Sequence, residues 1–204
     1  MLGNKKECTQ AGAWEQGFKR YLGIRGINMR SRYKTYNQEG VFYVTSSIVN
    51  WINIFSEDIY FNILIDTFNF RRLKGEIKLF GYVIMPSHFH LIMHSINVSR
   101  AMQNIKSYTA AKIIEQLKRD LKFVILEMLK ENKQEFKNDS TYQVWQEGFH
   151  PQLIISNKML LQKLEYIHNN PIRAGLCEKA EDWKYSSARN YYLDKGLVEI
   201  DSFI

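Results

Sequence analysis

The stretch from Gly81 to Ser95, GYVIMPSHFHLIMHS, restricts the fold more than any other part of the chain. Successive side chains on a strand point to opposite faces. His88, His90 and His94 therefore share one face, and Phe89, Leu91 and Met93 share the other. Pro86 has no amide hydrogen to give to a sheet ladder, so it belongs at a break. The pattern predicts a strand over Lys78 to Met85, a turn at Pro86 and Ser87, and a strand over His88 to His94.

The remainder of the chain supplies partners for that hairpin. Val41 to Val49 alternates and is rich in β-branched and aromatic residues, which predicts a strand. After Ser56, a candidate N-cap, Glu57 to Leu73 reads as an amphipathic helix. A long helical pattern runs from about Ser99 through Ile105, Ile113, Ile114, Leu117, Leu121 and Leu129. Lys130 to Thr141 is polar, a loop or frayed helix end. Tyr142 to Ile155 contains a short strand, and Lys158 to Ile167 is helical until Asn169, Asn170 and Pro171 stop it. The order β-α-β-β-α-β is the α+β, ferredoxin-like (RRM-like) arrangement. Its antiparallel sheet carries helices on one face and leaves the other open to a ligand, with a C-terminal helix and tail added. Residues 41–204 form the domain. Residues 1–40, glycine-rich and charged, are expected to be a poorly ordered or loosely attached extension. The basic run opening at Met29 resembles a protein start, so residues 1–28 are expected to lie outside the functional unit.

Composition narrows the partners. A net charge of +7 over 204 residues suits a polyanion. The aromatic share of 14% can pack a core or stack on unpaired bases. Two distant cysteines, Cys8 and Cys177, build neither a disulfide framework nor a zinc knuckle. No apolar run approaches the roughly 20 residues of a membrane span, and the first residues lack a secretory signal. The expectation is a cytoplasmic protein, monomer or homodimer, without a membrane partner. No H-E-x-x-H or P-loop pattern supports a zinc peptidase or an NTPase.

Two imidazoles at i and i+2 on an open sheet face can hold one cation together. They can equally be ordinary histidines of a half-exposed strand. In NIKSYTAAKII, Tyr108 lies about 140° from Ile113 and about 180° from Leu117 at 100° per residue. It stands off the core stripe, as a surface residue or as a nucleophile for phosphorus. A free phenol titrates near 10, so it needs activation by a metal or a nearby cation. Lys112, one turn on, can neutralise a phosphate or aid proton transfer.

The histidine pair in GYVIMPSHFHL resembles the HUH signature of single-tyrosine transposases. The chain resembles, more narrowly, the REP-associated tyrosine transposases through IKSYTAAKI, VWQEGFHPQLI, KLEYIHNNPIRAGL and EDWKYSSARNYY, covering roughly residues 29–192. The resemblance implies a metal-dependent enzyme that cleaves and rejoins single-stranded DNA. It implies Mg²⁺ or Mn²⁺ on His88 and His90, a 5′-phosphotyrosine link on Tyr108, and DNA hairpins with flanking single strands as substrate. In such transposases a polar residue one turn after the tyrosine completes the metal site. Here that position is Lys112, which cannot ligate while protonated. Glu115 is the candidate third ligand, with His94, His150 or water as alternatives.

Arg71 and Arg72, with Lys74, form a basic cluster for a DNA backbone or a solvated face. Arg173, Lys184 and Arg189 are further candidate phosphate contacts. Trp183, Tyr185, Tyr191 and Tyr192 either stack on bases or pack against the domain. Glu147 and His150 are candidates to approach the site. A binding module without catalysis, recognising DNA hairpins, is the alternative function. A metallohydrolase using His88, His90 and His94 to activate water is a third.

Overall fold

The computed structural model describes residues 39–135, 140–148 and 150–203. The expected extension over residues 1–40 lies, apart from Glu39 and Gly40, outside the described residues. Strand β1 (Gly40–Ser47) is followed by a 3-10 turn (Val49–Trp51) and helix α1 (Asp58–Leu73). The hairpin β2 (Lys78–Met85) and β3 (His88–Ser95) leads into α2 (Val98–Arg119) and α3 (Phe123–Glu131). A two-residue strand β4 (Gln152–Leu153), helix α4 (Asn157–Arg173), a 3-10 turn (Ala180–Asp182) and α5 (Ala188–Leu193) complete the chain.

The four strands lie in the order β2-β3-β1-β4, antiparallel throughout, as the ferredoxin-like reading requires. Three expected boundaries shift. The cap of α1 is Glu57 rather than Ser56, and its side chain makes no cap bond. The long helix expected from Ser99 breaks at Leu121, whose φ of 55° is left-handed, and splits into α2 and α3. Helix α4 is not stopped at Asn169–Pro171 but runs on to Arg173. Pro171 falls in its last turn, where the missing N–H forfeits one helical bond, and Gly175 (φ +68°) closes the end.

The strand pleat sorts the core into two layers. Phe42, Val44, Tyr82, Ile84, Phe89, Leu91 and Met93 pack against α1 and α2 through Phe61, Leu64, Phe68, Ile105, Ile113 and Leu117. The opposite face was expected to be open, and it is not. Val83, Met85, Ile92, Val41 and Tyr43 pack there against Leu160, Leu164 and Ile167 of α4. The approach of α4 is close because Gly81, which follows a register shift in β2 after Leu79, has no side chain. A Cβ on Gly81 would stand 2.5 Å from Leu164 Cδ2. The apolar stripe of α4 pays for this second layer, which leaves only part of the sheet face uncovered.

The tail is structural. Ser186 bridges Val83, the amide of Ile84 donates to Tyr185 O, and that of Asp201 donates to Leu79 O, so the free edge of β2 is covered. Tyr185 stacks on Phe61 with centroids 3.7 Å apart, Trp183 Nε1 donates to Ile84 O, and Tyr191 OH donates to Phe80 O. Packing, not base stacking, occupies these aromatic rings. No helix among the described residues is long and apolar enough to cross a membrane.

Candidate functional site

His88, half-buried, and His90, buried, stand on the second face beside α4, their ring centroids 5.0 Å apart. The pleat of β3 puts both there, and the neighbouring strand β1 fixes one of them. Thr45, paired with His90 across the ladder, places its Oγ1 2.7 Å from His90 Nδ1, and Tyr43 OH lies 2.9 Å from the same nitrogen. With Nδ1 carrying the proton and donating to these hydroxyls, Nε2 presents its lone pair to a ligand. His88 Nδ1 faces Ser87 Oγ at 3.3 Å, and the Trp51 and His88 rings meet edge to face with centroids 5.4 Å apart.

Burial pushes His90 down to about 3, aided by the neighbouring His88 and Lys163, and it lowers His88 as well. Both imidazoles are thus kept neutral, the form that ligates metals. Tyr43 is pushed up to about 12, chiefly by burial, so it remains a hydroxyl.

Burial likewise takes His168, on the buried side of α4, down to about 3. An unfolded chain binds these protons near 6.5, and the native one does not until about 3. Stability is therefore fully present above pH 6.5 and falls as pH drops through that window, by about 1.4 kcal/mol per pH unit for each such histidine. Urea titrations between pH 7 and 4, without divalent metal, are expected to show this decline. His168→Gln should flatten it by one histidine's share.

Helix α4 brings the third component. Ser156 caps it by accepting from the Met159 amide, and Leu160, Leu164 and Ile167 face the sheet. Lys163, Tyr166, Asn170 and Arg173 recur at spacings of three and four, so they share one flank of the helix. That flank borders the histidines. The Tyr166 ring lies 5.7 Å from His90 and 6.3 Å from Tyr43, and it is 39% exposed. Lys163 Nζ sits 4.5 Å over the Tyr43 ring, and the Arg173 guanidinium 5.5 Å over Tyr166. Nδ2 of Asn170 is buried with no hydrogen-bond partner.

The structure does not bring Tyr108 to this place. Helix α2 packs on the sheet face bearing Phe89, Leu91 and Met93, so the sheet lies between Tyr108 and the histidines. Tyr108 is 48% exposed and lines a groove with Ile63, Asp66, Lys112, Glu115, Gln116 and Arg119. Lys112 and Glu115, expected as catalytic and ligating residues, pair with each other at 2.9 Å, and Arg119 holds the other oxygen of Glu115 at 2.8 Å. Being off the core stripe is true of Tyr108, but the exposed side of α2 faces away from the histidines.

The remaining expectations divide. Arg71 binds Glu76 at 2.9 and 3.0 Å, and Arg72 binds Asp201 and Glu199, so these guanidiniums hold the fold's end together. Lys184 is paired with Asp58. Arg189 is half-buried in α5, and Arg173 lies over the ring of Tyr166, which in turn meets His90. His94 meets Glu39 at 3.0 Å at the far end of β3, and His150 is exposed on the segment before β4. Among the described residues no group of three His, Cys, Asp or Glu side chains assembles. Among the described residues, His88 and His90 are the pair that could hold a cation, and Asn170, one turn beyond Tyr166 on the same flank of α4, is the candidate third donor. An amide turned by half a revolution exchanges its nitrogen for oxygen. The orphaned Asn170 amide thus offers an oxygen, a donor suited to a hard divalent ion. Sequence reasoning passed over Lys163 and Tyr166 and read Asn170 as part of a helix stop, although KLEYIHNNPIR carries their helical spacing once the helix is allowed through Pro171.

No protein-family model matches the chain. Over 104 residues, 51% of this chain, it is 29% identical to a Haemophilus influenzae protein named "Putative REP-associated tyrosine transposase", and that match spans 54% of the relative's length. It is 24% identical over 163 residues to an uncharacterized protein of Haemophilus influenzae, covering 71% of this chain and 87% of the other. Among solved structures, a REP-associated tyrosine transposase bound to a REP hairpin matches with a TM-score of 0.57 at 19% identity, over 86% of this chain and 92% of that one. The chain resembles the REP-associated tyrosine transposases in sequence along half its length and in fold along most of it.

Proposed function

We propose that this chain is a metal-dependent transposase that cleaves and rejoins single-stranded DNA, with Tyr166 rather than Tyr108 as its nucleophile. The observation that carries the reading is the Tyr166 ring, accessible and 5.7 Å from His90 on the face that bears both histidines. The phenol gives up its proton to solvent as its oxygen attacks phosphorus, the bond from phosphorus to the 3′ oxygen breaks, and that oxygen takes a proton from solvent to leave as a free 3′-OH. The 5′ phosphate stays on Tyr166. A 3′-OH attacking the phosphotyrosine reverses the step and restores the phenol, so no nucleotide cofactor is consumed.

Mg²⁺ or Mn²⁺ held by His88, His90 and Asn170 would polarise the scissile phosphate and offset the charge that develops on its oxygens. Arg173 and Lys163 carry positive charge on either side of Tyr166 along α4 and would seat the flanking phosphates. Thr45 and Tyr43, both at hydrogen-bond distance from His90 Nδ1, would fix the ring's orientation and leave Nε2 for the ion. The similar transposase fold bound to a REP hairpin supports a hairpin with single-stranded flanks as substrate.

The test is a denaturing gel. Native protein, Mg²⁺ or Mn²⁺ and a labelled hairpin with single-stranded flanks from the protein's own locus should give a protein–DNA adduct that metal chelation prevents. Hairpin binding without any adduct over such a panel would replace this reading with that of a binding module. Free cut ends without an adduct would replace it with that of a metallohydrolase.

A further inference from the structure

The turn after β1 displays a tryptophan at a cost. Asn50 (φ 50°) and Trp51 (φ 56°) are both left-handed, a conformation that asparagine tolerates and a bulky residue avoids. The turn is anchored on both sides. Val49 and Ile52 are buried, the Ile48 amide donates to Ser87 O at 2.7 Å, and the Val49 amide donates to Val144 O at 2.9 Å. Between these anchors the indole, the largest apolar side chain of the segment, is left 57% exposed. An exposed ring on a fixed, strained turn makes no contribution to the core that would explain it.

Its location is informative. Trp51, His88, His90 and Tyr166 form a continuous run of ring contacts at 5.4, 5.0 and 5.7 Å. The Trp51 and His88 rings meet edge to face, at an interplanar angle of 76°, rather than stacked. Trp51 touches His88 and Tyr166 touches His90, so the two rings stand at opposite ends of this run of contacts.

We propose that Trp51 is a stacking platform for one unpaired base of a single-stranded nucleic acid, a subsite beside the histidine pair. The proposal rests on reading this face as a DNA site, but not on cleavage occurring there. Base–aromatic stacking tolerates any base, because each has a π-face. Trp51 would therefore position the strand without reading its sequence.

The test separates stacking from charge. Binding of a fluorescein-labelled decathymidylate is compared with that of an abasic decamer of equal charge, using the full chain with Mg²⁺. Native protein should favour the decathymidylate by roughly tenfold or more. Trp51→Ala should bind both nearly equally, with little change for the abasic strand, while Trp51→Phe should keep most of the preference. A thermal melt checks that Trp51→Ala folds, as expected for an exposed ring, and Trp51→Phe preserves the test if it does not. A native protein without preference, or a Trp51→Ala protein that retains it, would overturn the proposal. The adduct assay is independent. Adducts without base preference leave the transposase reading intact and remove this one, and base preference through Trp51 without adducts does the reverse.

Discussion

The Tyr166→Phe protein is expected to bind hairpin DNA as well as native protein and to leave no DNA covalently attached, whereas Tyr108→Phe protein should form the adduct at close to the native rate. The substitution at Tyr166 removes one oxygen and keeps the ring. Its contacts with His90, Tyr43 and Arg173 are ring contacts, so the surrounding geometry survives. Losing a nucleophile from a site that otherwise stays intact costs on the order of a thousandfold or more. Tyr108 lies on α2, across the sheet from both histidines, and its side chain ends in an open groove. A change there should stay within about twofold, the ordinary range for a surface substitution. The measurement is the initial rate of adduct formation on denaturing gels, with binding followed separately by anisotropy. An inert Tyr108→Phe protein beside an active Tyr166→Phe protein would return the nucleophile to α2.

The two tyrosines also show where sequence reasoning reaches and where it stops. Strand periodicity is local, so the shared face of His88 and His90 could be read directly, as could the order of elements that gives β2-β3-β1-β4. Which helix lies over which face is not local. Tyr108 and Tyr166 both sit on amphipathic helices, both off the apolar stripe. What distinguishes them is that α2 packs on the face bearing Phe89, Leu91 and Met93, while α4 packs on the other. The decision depends on Gly81, whose lack of a side chain lets α4 descend onto β2, and on the Pro171 turn, which carries the helix as far as Arg173. Arg71 and Arg72 are a second instance. As sequence they form a basic cluster, but Glu76, Glu199 and Asp201 arrive from elsewhere in the chain and pair with them. Trp51 had no periodic signal at all, because its exposure follows from two left-handed residues in a turn.

Mn²⁺ binding should collapse when either histidine of the pair is removed. Native protein is expected to bind one Mn²⁺ per chain, read by calorimetry or electron paramagnetic resonance. His88→Ala should weaken it by more than about a hundredfold, since even outer partners of a ligating histidine are worth 10- to 100-fold. His88 is the cleaner variant because it is half-buried and its ring nitrogen's contact with Ser87 is long, at 3.3 Å. His90→Ala should lose binding equally, but it also leaves the Thr45 and Tyr43 hydroxyls without their ring nitrogen, at about 1–3 kcal/mol of stability. Thr45→Val keeps His90 and frees its tautomer, and should cost roughly 10- to 100-fold. Asn170→Ala should weaken binding, and Asn170→Asp, which adds a charged oxygen at the same reach, should restore or tighten it. Glu115→Gln should change nothing, because Glu115 stands on α2 between Lys112 and Arg119. Each measurement is paired with a melt in chelator, which separates loss of the ion from loss of the fold. Affinity unaltered in His88→Ala and His90→Ala would mean that the imidazoles are held neutral by burial for packing alone. The chemistry assigned to this face would then have to proceed without them.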